Sequence, residues 1–91
     1  MEYEYEWDAE KDGENRRRHG LGFEATANFD WETALVFPDD RFDYGESRLL
    51  AIGMIEGKLV SFAFTRRGNR IRAISLRPAS RNERKLYNES R

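Results

Sequence analysis

Residues 58–77 read Lys58-Leu-Val-Ser-Phe-Ala-Phe-Thr-Arg-Arg-Gly-Asn-Arg-Ile-Arg-Ala-Ile-Ser-Leu-Arg77, and this stretch decides the fold. Its first eight residues alternate between the two faces of a strand, with one valine and two phenylalanines on the same face. Arg66 to Asn69 supply a turn, and Arg70 to Arg77 form the returning strand, which ends at Pro78. The stretch therefore predicts an antiparallel hairpin at the centre of the domain.

Two strands before the hairpin extend it into a four-stranded antiparallel sheet. Thr33 to Phe37 and Ser47 to Ile55 have strand composition, and a polar loop from Asp39 to Glu46 separates them. Glu56-Gly57 is a two-residue linkage of the kind that joins hairpin strands. We therefore expect a meander, in which strands that follow one another in the chain are neighbours in the sheet.

Capping signals predict where the helices lie. Asp8 is a suitable N-cap and Gly20 a suitable C′ residue for a first helix, whose last turn is basic. A second short helix is expected from Phe23 to Trp31, with every fourth residue facing the core. Ser80-Arg-Asn-Glu83 is a capping box that opens a C-terminal helix, which reaches about Tyr87 or Glu89.

The order of these elements defines an α+β fold. Glu2 to Trp7 forms a short strand or arm, which two helices, the four-stranded antiparallel sheet and the C-terminal helix follow. A chain of 91 residues has room for one hydrophobic core. Residues 1–91 are therefore expected to form a single domain.

The composition excludes several kinds of site. The chain has no cysteine and one histidine, which excludes thiolate and histidine-rich metal sites. No apolar run approaches the roughly 18 residues of a membrane span, and the acidic N-terminus is unlike a signal peptide. The loop from Asp39 to Glu46 is acidic but lacks the spacing of an EF-hand. We therefore expect a cytoplasmic protein that has no metal, no cofactor and no membrane contact.

The net charge of −1 hides a strong separation of sign. Residues 66–91 contain nine basic and two acidic side chains, whereas residues 1–65 contain seven basic and fifteen acidic ones. Arginine suits phosphate because its planar guanidinium forms two hydrogen bonds at once and stays charged. The basic segment therefore predicts a phosphate-bearing partner such as nucleic acid.

Strand alternation divides the arginines of the last strand between its two faces. Arg70 and Arg72 share one face with Ile74, whereas Arg77 lies on the other, unless a β-bulge near Pro78 re-aims it. The alternation therefore does not predict a single concave pocket that contains all of these arginines.

Cleavage of RNA without a metal needs a base, a group that stabilises charge on the phosphate, and an acid. Arginine can stabilise the charge but is a poor proton donor. His19 has the side chain best suited to proton transfer near neutral pH, and Glu46 is a second candidate. His19 also belongs to a polar stripe with Asp8, Lys11 and Asn15 on the first helix, which is either a solvated surface or one wall of a polar site.

Together these residues resemble the BrnT family of toxins from type II toxin–antitoxin systems. The resemblance covers most of the chain and rests on order and spacing. Its N-terminal part consists of Glu6-Trp7-Asp8, Lys11, Asn15, His19-Gly20, Phe23, Ala27 and Phe29, and Gly45-Glu46, Arg48 and Gly53 follow. Its most specific part is Thr65-x-Arg67-Gly68-x-x-Ile71-Arg72-x-Ile74-Ser75-x-Arg77-x-Ala79, with Glu83 and Tyr87 after it. Two positions depart from the family pattern: Arg18 stands for its usual lysine, and Pro78 for its usual basic residue.

The resemblance implies a fold related to the RelE-like toxins and a metal-independent endoribonuclease that cleaves mRNA and inhibits translation. It also implies a BrnA-like antitoxin that neutralises the toxin, with a heterotetramer as the complex. The residues that it assigns to catalysis are His19, Glu46, Arg48, Arg67, Arg72 and Arg77. We add the residues predicted to bind RNA, which are Lys11, Arg70, Arg81 and Tyr87.

Two other functions are compatible with the charge distribution. A non-catalytic nucleic-acid-binding module would use the same basic segment, and its affinity would fall steeply with salt. A protein-interaction domain would present that segment to an acidic partner. Cleavage of RNA distinguishes the predicted toxin from both.

Overall fold

The computed structural model describes residues 3–40 and 45–90. Within these ranges the predicted hairpin lies at the centre of a five-stranded sheet, with helices against both faces. The elements are β1 (Glu4–Glu6), α1 (Ala9–His19), a 3₁₀ helix (Phe23–Asn28), β2 (Leu35–Pro38), β3 (Leu49–Ile55), β4 (Lys58–Arg67), β5 (Arg70–Pro78) and α2 (Arg81–Glu89). The α+β class is confirmed, and no helix in the described ranges is long and apolar enough to cross a membrane.

The sheet has one strand more than the sequence pattern predicts. Its order is β1-β5-β4-β3-β2, so that the four predicted strands form the expected antiparallel meander. The N-terminal segment is a true strand, because β1 pairs in parallel with β5, with Glu4 opposite Arg70 and Glu6 opposite Arg72. The prediction of a purely antiparallel four-stranded sheet is therefore wrong at this edge. Opposite charges on the two strands favour the added pairing.

The two hairpin turns differ in how closely they match the prediction. Glu56 and Gly57 both have positive φ angles, of 47° and 81°, as the predicted two-residue turn between β3 and β4 requires. The second turn is shorter than expected, because Arg67 still pairs with Arg70 and only Gly68 and Asn69 connect β4 to β5. Arg66 and Arg67 are therefore strand residues.

Two hydrophobic clusters lie on opposite faces of the sheet. The inner face, covered by α1 and the 3₁₀ helix, carries the larger cluster, which contains Phe23, Phe62 and Phe64. The outer face carries a smaller cluster in which Tyr87 of α2 packs against Ile52. Because the two clusters are separate, a strand residue on the inner face packs near α1 and the 3₁₀ helix, and one on the outer face packs near α2.

The second predicted helix is a 3₁₀ helix, and its periodicity corrects the predicted core pattern. Phe23, Thr26 and Phe29 are buried, whereas Ala27 is exposed. A spacing of three residues per turn places every third side chain on one face. The prediction that Phe23, Ala27 and Trp31 face the core together is therefore wrong for Ala27.

α1 begins and ends as the capping signals predict. The Asp8 carboxylate accepts a hydrogen bond from the Lys11 N–H, and Gly20 has the left-handed φ of 72°. Its polar stripe is not simply solvated, because Asn15 is buried against β5. The Asn15 amide donates to the carbonyl oxygens of Leu21 and Leu76, both at 2.7 Å, and accepts from the Leu76 N–H at 3.0 Å. Asn15 therefore binds α1 to the inner face of the sheet.

Candidate functional site: the arginine groove

A β-bulge in β5 sets the direction of its arginines. Ala63 pairs with Ser75 and Phe64 pairs with Ala73, which leaves Ile74 as the extra residue. After the bulge the alternation is inverted, so that Arg77 lies opposite Ser61, on the same outer face as Arg72. The prediction that Arg72 and Arg77 lie on opposite faces is therefore wrong. The bulge lies at Ile74 and not near Pro78.

An open groove of about 590 Å³ lies where β4 ends and β5 begins. We call it the arginine groove, since four arginines line it with Glu6 of β1 and Glu46 of the loop before β3. Its residues are Glu6, Gly45, Glu46, Ser47, Thr65, Arg66, Arg67, Arg70 and Arg72. The volume lies within the range of about 300–1,000 Å³ that small-molecule sites occupy.

Carboxylates of β1 neutralise two of these arginines. The Arg72 guanidinium lies 2.9 Å from a carboxylate oxygen of Glu6, and that of Arg70 lies 3.4 Å from Glu6 and 3.7 Å from Glu4. Arg70 is 60% exposed and Arg72 52% exposed, so each ion pair contributes at most about 1 kcal/mol. Such weak pairs leave both guanidiniums accessible to a phosphate, which would take the place of the Glu6 carboxylate.

The other two arginines differ in how firmly they are held. Arg66 donates from Nε to the Gly68 carbonyl oxygen at 2.8 Å, and its guanidinium lies 5.1 Å from the centre of the Tyr3 ring. The Arg67 side chain is exposed and makes no hydrogen bond or ion pair within residues 3–40 and 45–90. Arg67 is therefore the arginine of the groove that is most readily available to a ligand.

Glu46 provides a second carboxylate in the groove. Its side chain is 50% exposed and lies 3.3 Å from the Nε of Arg48. The acidic loop from Asp39 to Glu46 includes Asp43, which lies outside the described residues. Within the described ranges, no three histidine, cysteine, aspartate or glutamate side chains are close enough to bind a metal ion.

Arg77 lies outside the arginine groove, in the cap of α2. Its guanidinium donates to both carboxylate oxygens of Glu83, at 2.7 and 2.8 Å. Glu83 also accepts from the Ser61 hydroxyl and from the Ser80 N–H, which completes the predicted capping box. Burial disfavours the charged carboxylate, but these hydrogen bonds and the charge of Arg77 dominate and lower the pKa of Glu83 to about 2. The contacts of Arg77 are those of a residue that attaches α2 to the sheet.

Removing the charge of Glu83 is expected to destabilise the fold. At pH 7 we expect Glu83→Gln to lower the free energy of unfolding by about 1–2 kcal/mol, after allowance for solvent screening. Because the pKa falls from 4.5 to about 2 on folding, this stabilisation is present above pH 4.5 and is lost as the pH falls towards 2. Urea unfolding of wild type and variant between pH 2 and 7 measures the difference. Glu89→Gln at the end of α2 is the control, and a difference independent of pH would contradict the assignment.

His19 lies in a second groove, away from the arginines with which the prediction groups it. This groove also contains Val60, Pro78 and Arg84. Val60 and Thr65, the nearest lining residues of the two grooves on β4, are five residues apart, which corresponds to about 17 Å between the grooves. The structure therefore does not bring His19 together with Arg67 and Arg72. Lys11 is exposed near the start of α1 and lines neither groove.

The residues predicted to bind RNA have different environments. Arg70 lines the arginine groove, and Arg81 is exposed in the first turn of α2. Tyr87 is only 2% exposed, and its hydroxyl donates to the Thr33 hydroxyl at 3.2 Å. In this structure the side chain packs in the outer cluster. Contact between Tyr87 and RNA stays a prediction, and this burial does not support it.

Glu6 and Thr65 line the groove but are not among the residues predicted for the site, although both match the family pattern. The alternation of acid and aromatic residues over residues 2–7 is the signal that could have indicated a face of carboxylates. What the sequence pattern lacked was the parallel pairing with β5, which brings Glu6 to Arg72.

The arginine groove has two of the three kinds of group that metal-free cleavage of RNA requires. Arg67, Arg70 and Arg72 are suited to bind the oxygens of a phosphodiester and to stabilise charge that develops on them. Glu46 places a carboxylate beside them. The described residues of the groove therefore supply a carboxylate and an anion-binding surface, but no side chain suited to act as the acid.

Comparison with known proteins identifies the family. The family model described as the ribonuclease toxin BrnT of type II toxin–antitoxin systems matches residues 7–83. The crystal structure of the Brucella abortus ribonuclease toxin BrnT superposes with a TM-score of 0.68 at 31% identity, covering 87% of this chain and 99% of that one. No curated protein matches the chain at a significant level. The chain therefore belongs to the BrnT family of ribonuclease toxins, and as a toxin of a type II toxin–antitoxin system it has RNA as its substrate and an antitoxin protein as its partner.

Proposed function

We propose that this ribonuclease cleaves messenger RNA internally, without a metal ion, in the arginine groove, and that it thereby inhibits translation. The observation that supports this site best is the convergence of Arg67, Arg70 and Arg72 beside the Glu46 carboxylate in one open groove. Arginines supply the positive charge that a metal ion supplies in other nucleases. The nucleophile comes from the substrate, because RNA carries a 2′-hydroxyl next to every phosphate.

Phosphate binding begins with an exchange of partners. An incoming phosphodiester takes the place of the Glu6 carboxylate at Arg70 and Arg72, while Arg67 binds from the end of β4. A charged Arg–phosphate contact is bidentate and stronger than the exposed ion pair that it replaces. Anions that cannot displace the Glu6 carboxylate from Arg70 and Arg72 therefore bind to the groove with lower affinity.

Glu46 is the base of the proposed reaction. Its carboxylate takes the proton of the 2′-hydroxyl, and the 2′-oxygen attacks the adjacent phosphorus. Arg67 and Arg72 stabilise the negative charge that develops on the phosphate oxygens in the transition state. The bond to the 5′-oxygen breaks, and this oxygen takes a proton from water, since arginine is a poor donor. The hydroxide that remains takes the proton from Glu46, which restores the carboxylate. The products are a 2′,3′-cyclic phosphate and a 5′-hydroxyl end.

A BrnA-like antitoxin is the proposed partner, and a heterotetramer is the proposed complex. Neutralisation follows most directly if the antitoxin covers the arginine groove with its own carboxylates, in the way that Glu4 and Glu6 occupy Arg70 and Arg72. We assign both partners to the cytoplasm, where messenger RNA is translated. Residues 1–91 act as one domain in this proposal.

Cleavage of RNA in the presence of EDTA tests the proposal. We expect purified protein to cut a single-stranded RNA in excess EDTA and to leave 2′,3′-cyclic phosphate ends, because neither nucleophile nor charge stabilisation comes from a metal. The ends can be identified by mass spectrometry. The same RNA with 2′-O-methyl groups is the control and should stay intact. Cleavage that stops in EDTA, or cleavage of the 2′-O-methyl RNA, would contradict the mechanism.

A further inference from the structure

The groove that contains His19 has features of a second phosphate site. It has a volume of about 410 Å³ and lies between the end of α1, the β3–β4 turn and α2. Three basic or titratable side chains line it, and none of its lining residues is acidic. They are His19, Gly20, Leu21, Gly57, Lys58, Leu59, Val60, Pro78 and Arg84. We call it the His19 groove.

The charges of the His19 groove are unpaired. His19, Lys58 and Arg84 have no hydrogen bond or ion pair from their side chains within the described part of the chain. In the arginine groove, by contrast, Arg70 and Arg72 already have the carboxylate of Glu6. Three unpaired cationic or titratable groups beside Leu21 and Pro78 offer charge to a phosphate and apolar surface to a sugar or base.

The outer face of β5 runs from the arginine groove towards the His19 groove. Because of the bulge at Ile74, Arg72, Ser75 and Arg77 all lie on this face, with Arg72 in the arginine groove. The next residue, Pro78, pairs with Val60 of the inner cluster and lines the His19 groove at the end of β5. Arg72 and Pro78 pair with Thr65 and Val60 of β4, so the distance between them along the sheet is about 17 Å. Without the bulge, Arg77 would point to the inner face and the row would be interrupted.

We infer that a single strand of substrate RNA follows the outer face of β5 and that its backbone is bound a second time in the His19 groove, by Lys58, Arg84 and His19. The inference rests on the proposed function of the arginine groove and adds to it the path of the substrate. A stacked strand advances about 3.4 Å per nucleotide, so that the two grooves lie roughly five nucleotides apart. RNA fits better than an acidic protein segment because the row leads directly from the groove proposed for the reacting phosphate.

The affinity gained by lengthening the RNA tests this path. The probes are 2′-O-methyl oligouridines of about three and about twelve nucleotides, which cannot be cleaved and of which only the longer spans both grooves. We expect the longer probe to bind wild type at least about tenfold more tightly. In the Lys58→Ala/Arg84→Ala variant this gain should fall to about threefold or less. Fluorescence anisotropy measures each Kd.

The control removes the same charge elsewhere. Arg17→Ala/Lys85→Ala removes two exposed cations that line neither groove, and it should keep the wild-type gain. The salt dependence of the longer probe should weaken in the Lys58/Arg84 variant by about 1.4 in slope, since each lost phosphate contact removes about 0.7. A gain that the Lys58/Arg84 variant retains would overturn the second site but not the proposed function. Wild-type protein that binds neither probe would overturn both.

Discussion

Replacing Arg72 with alanine is expected to lower the rate constant of RNA cleavage by about 10²–10³-fold, the typical loss when one group that stabilises transition-state charge is removed. In the proposed mechanism, Arg72 exchanges the Glu6 carboxylate, 2.9 Å away, for the phosphate. Single-turnover cleavage at saturating protein measures the chemical step separately from binding. His19→Ala should change this rate constant by about threefold or less, because His19 lies in the other groove.

Two further variants make the Arg72 experiment specific. Arg72→Lys keeps the charge but loses the bidentate geometry, and it should recover only part of the rate. Arg17→Ala removes an exposed arginine outside both grooves and should cleave like wild type. Stability should fall by at most about 1 kcal/mol in each case, because the Arg72–Glu6 pair is exposed. An Arg72→Ala variant that cleaves at the wild-type rate would contradict the assignment of the groove.

Replacing Asn15 with aspartate is expected to lower the free energy of unfolding by about 3–5 kcal/mol at pH 7. The amide nitrogen of Asn15 donates to two carbonyl oxygens at 2.7 Å, those of Leu21 and Leu76. In the variant, a carboxylate oxygen would replace this nitrogen and would repel both carbonyl oxygens. Water cannot screen the repulsion, because Asn15 is only 5% exposed. A domain of this size has a total stability of about 5–15 kcal/mol, so the variant should be close to unfolding.

The pH dependence of the Asn15→Asp variant identifies the cause. A carboxyl group buried among carbonyl oxygens has a raised pKa in the folded state, so that the destabilisation is largest above this pKa and declines as the pH falls towards the unfolded value of about 3.9. Asn82→Asp is the matched control, because Asn82 is exposed in the first turn of α2. Urea unfolding of both variants at pH 5 and pH 8 gives the comparison. Equal stability of the two variants would contradict the role of Asn15.

Much of the fold follows from local signals. The alternation in β4, the Glu56-Gly57 turn and the caps at Asp8, Gly20 and Ser80 each depend on a few neighbouring residues, and the structure confirms them. Such features can be read from sequence because backbone geometry and hydrogen bonding within one turn determine them. The α+β class follows from their order.

The errors concern contacts between distant parts of the chain. The parallel pairing of β1 with β5, the extra residue at Ile74 and the burial of Asn15 depend on residues more than sixty positions apart or on the twist of the whole sheet. The two-residue period assigns each strand residue to one face of the sheet, but a single bulge reverses this assignment for the residues beyond it. For this reason Arg77 was predicted on the wrong face.

The residues predicted for catalysis lie in more than one place in the structure. Family resemblance identified Arg67, Arg72 and Glu46, which the structure brings together, and it also identified His19, which lies elsewhere. Neither spacing nor composition could show that His19 lies apart from the other three residues. The distances between them depend on the tertiary fold, which places His19 near the start of β4 and the others near its end. The family match also sets aside the two non-catalytic alternatives, since the chain is a ribonuclease toxin.

The central claim is that RNA is cleaved in the arginine groove, and photo-crosslinking tests it most directly. The probe is an RNA whose cleavage site has been mapped, with a 2′-O-methyl group at the attacking position and 4-thiouridine next to the scissile phosphate. After irradiation, mass spectrometry identifies the crosslinked peptide. The account predicts crosslinks to residues 45–48 or 65–72. Crosslinks confined to residues 16–21 or to Arg84 would contradict it and would assign the reaction to the His19 groove.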